Sequence, residues 1–142
     1  MSLGWEPDDI VAIVNGLDER YGEEALQIVE DALGFSAYQW GQELRENDCP
    51  DLSPENFINN FKDSVDEEME FIVDNDGTAT IITKKCRVAE VFKELDSTEI
   101  GFRFKCAQDF KIAEGYDSEM KLEIPKCLMR GDSCCQHIYT KE

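Results

Sequence analysis

The sequence holds a single histidine, His137, and no two cysteines in C-x2-C spacing. The first scarcity excludes an H-E-x-x-H metal helix. It also leaves a Ser-His-Asp triad only one centre, with no serine marked as its partner. The second removes the usual signature of a structural zinc site. Glycine-rich phosphate loops and G-x-S-x-G elbows are also missing. No apolar run approaches the ~18 residues of a membrane span. The first residues, Met1 to Glu6, lack the basic and apolar blocks of a signal peptide.

Basic side chains are scarce in the first half. Residues 1–76 carry 21 acidic groups against three basic ones, Arg20, Arg45 and Lys62, whereas residues 77–142 carry 11 of each sign. The net charge of −18 therefore sits in the N-terminal half. Such a surface repels nucleic acid and anionic membranes over about a Debye length, so neither is an expected partner. Its simplest reading is a solvated helical face, and docking of a basic protein is the other. The six cysteines would suit a disulfide framework in a small secreted chain. With 142 residues the chain closes one hydrophobic core unaided, so they read as reduced thiols of a cytoplasmic protein.

Periodicity divides this single domain, residues 1–142, into a helical scaffold over about 7–65 and a sheet-bearing part over about 67–140. Ile10, Ile13, Val14, Leu17 and Tyr21 recur at helical spacing after Pro7-Asp8-Asp9, and Gly22 ends that helix. A second helix starts near Glu23 and continues past Gly34 towards Leu44, before a turn at Asn47–Asp51. Ser53-Pro54-Glu55 restarts a third, burying Phe57, Ile58, Phe61 and Val65. From Met69 the apolar period changes to two, and Asn75-Asp76-Gly77 marks a hairpin. Val88, Val91, Phe92 and Leu95 return to helical spacing, and residues 119–129 and 134–140 read as two more strands. The fold class is α+β: an N-terminal helical layer, then a mainly antiparallel four-stranded sheet with inserted helix or helices. Residues 100–106 satisfy both a strand and a helix pattern, and periodicity leaves them open.

Chemistry concentrates in the last third. Cys106-x-x-Asp109 would share a face on a helix, pairing a thiol with a carboxylate. On the last strand, Cys135, His137 and Tyr139 share one face, and Cys134, Gln136 and Ile138 the other. Cys86 follows Lys84-Lys85, and nearby cations favour a thiolate. Cys86, Cys106, Cys135 and His137 are a chemically sensible zinc set, although no cofactor is expected.

The stretches Cys106-Ala107-Gln108-Asp109-Phe110, Ala113-Glu114-Gly115-Tyr116 and Leu128–Tyr139, which includes Gly131-Asp132-Ser133-Cys134-Cys135, resemble the L-2-amino-thiazoline-4-carboxylic acid hydrolase-like family. Arg20-Tyr21-Gly22-Glu23-Glu24-Ala25 and the position of Cys86 extend the resemblance over most of the chain. Departures cluster near the same residues: Arg87 follows Cys86 where proline is common, Asp117-Ser118 replaces Asn-Pro, Ile124–Cys127 lacks Arg and Thr, and His137 replaces an aromatic. The family is similar in architecture to 4-vinyl-reductase-type small-ligand domains, not all of which are enzymes. Membership implies a helix near 99–114. The resemblance also implies a small hydrolase opening a C–N or C–S bond of a cyclic amidine, for which the shared faces above offer Cys106, Asp109, Cys135 and His137 as catalytic candidates. Cys86, Lys84, Arg103 and Tyr139 are the substrate-binding candidates. The rival reading is a non-catalytic small-ligand or metal sensor. Oligomeric state is not legible.

Overall fold

The computed structural model describes residues 6–63 and 68–141. Helix α1 (Pro7–Tyr21) starts on a proline with Asp8 and Asp9 in its first turn, where carboxylates favour the helix dipole. Gly22, at φ +75°, turns the chain directly into α2 (Glu23–Asp48). That left-handed conformation costs glycine nothing. Helix α2 runs 26 residues without a break at Gly34, four residues beyond the end expected at Leu44. Ser53 Oγ accepts from Asn56 N at 3.1 Å to cap α3 (Pro54–Asn59).

Helix α3 is shorter than its apolar spacing predicts. The Asn60 amide donates to the Asn56 and Phe57 carbonyls and to Asp48 Oδ2, and the backbone relaxes into three-residue turns from there. Val65, expected on the same face, lies outside the described residues.

Strands β1 (Glu68–Val73) and β2 (Ala79–Lys85) form the hairpin, closed by Asp74 N to Thr78 O at 2.9 Å. Then come α4 (Arg87–Glu94), α5 (Thr98–Gly101), a π-helical turn (Phe102–Cys106) and α6 (Gln108–Tyr116). The segment that periodicity left open is thus helical. Strand β3 (Met120–Lys126), a 3-10 turn (Leu128–Arg130) and β4 (Cys135–Lys141) follow. All neighbours in the sheet are antiparallel, in the order β1-β2-β4-β3, giving the α+β architecture.

Register decides which side chains meet the helices. Ala79, Ile81 and Thr83 of β2 lie opposite Tyr139, His137 and Cys135 of β4, on the covered face of the sheet. One core centres on Phe57, whose ring lies 4.8 Å from both Tyr116 and Tyr139. A second gathers Ala89, Phe92, Cys127, Met129 and Cys135. A third, of Val14, Leu26 and Phe104, joins α1, α2 and the π-helical turn. Helix α6 meets α2 through two glycines: a Cβ on Gly41 would strike the Ile112 carbonyl, and one on Gly115 the Tyr38 carbonyl. Among the described residues no helix is long and apolar enough to cross a membrane.

Candidate functional site

The π-helical turn sets the phase of everything that follows it. Ala107 N donates to Phe102 O, five residues back, at 2.8 Å. The Gln108 side-chain amide donates to the Phe104 carbonyl. Such turns carry one residue more than an α-turn and often mark functional sites. Here the turn sends Cys106 into the second core and starts α6 so that Asp109, in its first turn, faces β4. Asp109 Oδ2 and His137 Nε2 stand 3.0 Å apart. The histidine side chain is 15% exposed and the carboxylate 37%, so the pair is sheltered yet reachable from solvent. Because a carboxylate only accepts, the imidazole donates from Nε2. Tyr139, next on the same face, stacks its ring 6.4 Å from the imidazole. Burial raises its hydroxyl pKa well above the ordinary value, and the Asp109 charge adds to this.

Beside this dyad lies a nest of thiols. Cys86, Cys106, Cys127 and Cys135 pack in the second core, and none of the six cysteines is in a disulfide. The Gly131-Asp132-x-x-Cys135 stretch builds it. Gly131 takes φ +95° to close the 3-10 turn, Asp132 Oδ2 accepts from Cys127 N at 2.8 Å, and Cys135 Sγ accepts from Leu128 N at 3.3 Å. The Cys127 thiol thereby comes within hydrogen-bonding reach of both Cys106 and Cys135. Burial pushes the Cys106 thiol pKa strongly up, reinforced by Cys127, Asp109 and Cys135. Cys135 is pushed up to about 12, chiefly by burial and against the Leu128 N–H, which favours the thiolate. Both are thiols at neutral pH rather than activated nucleophiles.

The other sequence candidates divide. Cys86 caps the N-terminus of α4 at the edge of the thiol nest, as expected from its position after a strand. Lys84 is not brought there. Ala79, Ile81 and Thr83 take the covered face of β2, so Lys84 lies on the uncovered one, 2.7 Å from Glu70 and near Cys134. Arg103 is also elsewhere, clamped by Glu23 at 2.5 Å and Glu30 at 3.1 Å on α2. These acids and burial act in opposite senses on its pKa, and the net shift is upward. Among the described residues no three His, Cys, Asp or Glu side chains are arranged to hold a metal ion. Cys127, which stands beside Lys126 in sequence but is absent from the site candidates, is the further member of the nest. Arg130, exposed and stacked 3.7 Å over Phe102, is the cation at its rim.

The α+β architecture thus sets one carboxylate–imidazole pair beside a cluster of buried thiols. The family model described as L-2-amino-thiazoline-4-carboxylic acid hydrolase matches residues 6–139, and the chain belongs to that family. No curated protein matches the chain. Among solved structures, it is similar to a trafficking protein particle complex subunit 3 from Naegleria fowleri, crystallised covalently bound to palmitic acid. Identity is 12% over 96% of this chain and 92% of that one, with a TM-score of 0.57; the likeness shows the fold alone.

Proposed function

We propose that the chain is a hydrolase that opens a C–N or C–S bond of a small cyclic amidine, with Asp109 and His137 as the working pair. The observation that carries this is their 3.0 Å hydrogen bond at a half-sheltered site. The carboxylate fixes the tautomer, and Nδ1 takes a proton from water as its oxygen attacks the amidine carbon between sulfur and nitrogen. As the tetrahedral centre collapses, the imidazolium returns that proton to the departing sulfur or nitrogen. The protonated state of Cys106 and Cys135 argues against thiolate attack, and for water as the nucleophile. Lys84 and Arg103 are held by carboxylates, so Arg130 at the rim replaces them as anchor for a substrate carboxylate.

The test is turnover of 2-amino-thiazoline-4-carboxylate, followed by mass spectrometry and thiol titration. A new thiol reports C–S cleavage and a new amine C–N cleavage. Asp109→Asn should slow turnover by about 10²–10⁴-fold, the usual share of a positioned acid–base pair. Full activity in that variant removes the mechanism. An inert wild-type protein would favour the second reading, a non-catalytic small-ligand domain, to which the low reactivity of the buried thiols also points.

A further inference from the structure

A groove of about 370 Å³ runs between α1, α2 and the π-helical turn, and neither the dyad nor the thiols line it. Its walls are Ile10, Ile13 and Val14 from α1, and Val29 and Leu33 from α2, with Phe104 between them. Val14 and Phe104 are buried, and Ile13 stays 38% exposed at the lip. Only Lys105 and Gln108 bring polar groups to it. Lys105 is exposed, and among the described residues no carboxylate lies within ion-pair distance of it. Its neighbours differ: Arg103 is clamped by Glu23 and Glu30, and Lys111 pairs with Glu114 at 3.3 Å. An aliphatic trough thus carries a cation with no ion-pair partner among the described residues, beside the acid-rich helices α1 and α2. A second cavity of about 470 Å³ shares Leu33 and Gln108 with the groove.

We infer that this groove binds a medium-chain aliphatic carboxylate, its chain along the α1 and α2 side chains and its head on Lys105. The volume lies within the range of small-molecule sites, about 300–1,000 Å³. The apolar walls select a hydrocarbon, since each buried methylene strengthens binding by about fourfold. The charge selects the head group. A cationic amphiphile meets Lys105 as a like charge, and a neutral one forgoes the charge-assisted hydrogen bond. This site stands on the other side of the π-helical turn from the thiols and goes beyond the hydrolase reading.

The experiment titrates dodecanoate, below its micelle-forming concentration, into the full chain by calorimetry. Decanoate and dodecyltrimethylammonium serve as comparisons. Dodecanoate should saturate at one equivalent, decanoate should bind about 15-fold more weakly, and the cationic amphiphile should not bind. Lys105→Gln should weaken dodecanoate about tenfold. Ile13→Asp, which puts a carboxylate at the lip, should abolish binding. Both positions are exposed, and an unchanged melting curve verifies the fold. Should Ile13→Asp fail to fold, Lys105→Gln decides alone. Absence of saturable dodecanoate binding, full affinity in Lys105→Gln, or equal binding of the cationic amphiphile overturns the proposal. Hydrolysis enters none of these readouts, so the two ideas fail separately.

Discussion

Asp109 Oδ2 and His137 Nε2 meet at 3.0 Å across 28 residues of chain, one from the first turn of α6 and the other from the middle of β4. Neither element could supply the pair alone. The contact depends on α6 lying over the covered face of the sheet and on the β4 register that turns His137 towards it.

His137→Phe should fold and lose turnover. The ring site already stacks on Tyr139, and the family resemblance expects an aromatic there, so the phenyl ring fits without a cavity. Stability should change by less than about 1 kcal/mol, while the rate falls by at least ~10²-fold. Parallel thermal melts and turnover assays check this. A variant that keeps wild-type turnover would dismiss the dyad.

Gly41→Ala and Gly115→Ala should each destabilise strongly, because the added methyl meets the backbone of the facing helix, which cannot rotate aside. Overpacking of this kind costs about 1–3 kcal/mol or more. Gly16→Ala is the control: its Cβ meets nothing within 4 Å, and alanine in a helix should gain up to about 1 kcal/mol. Chemical denaturation of the three variants measures both signs. Equal midpoints for Gly41→Ala and wild type would contradict the close contact of α2 with α6.

Alkaline pH should weaken the fold through Cys135. Its folded pKa is raised from 9.0 to about 12, so the unfolded chain loses this proton first as pH rises. Above pH ~9 the unfolded state binds fewer protons than the folded one, and stability falls with pH; below that the contribution is complete. Melting temperatures should therefore decline from pH 9 upward, and less steeply in Cys135→Ala. The Cys106 thiol, also raised, adds to the wild-type slope. Identical pH profiles for the two proteins would refute this account.

Much of the architecture could be read from local signals, because those signals are local in cause. The Asn75-Asp76-Gly77 turn, the Ser53 cap and the alternation of Cys135, His137 and Tyr139 all act within a few residues. The segment 100–106 was undecidable for a physical reason. A π-helical turn shifts the helical phase by one residue, and the resulting apolar pattern imitates a strand. Lys84 falls outside the expected site because it lies on the uncovered face of β2 paired with Glu70, while Cys86 already leads the chain into α4. Arg103 points to α2, which sequence spacing could not reveal across 80 residues. Cys127 entered the nest through the fold-back at Gly131 and Asp132.

The position of β4 between β2 and β3 has a bearing on how the protein is made. Strand β3 has β4 as its sheet neighbour, and the hairpin of β1 and β2 joins β3 only through β4. A nascent chain that has emerged as far as residue 126 therefore holds a hairpin and a lone ribbon, with the face of Ile81 and Met120 uncovered by any common sheet. Residues 135–141 complete the sheet in one step, and the same step delivers Cys135 to the thiols and His137 to Asp109. Pairing of that strand thus closes the sheet and joins His137 to Asp109 in one event, and a chain cut just before it should be readily degraded by added protease.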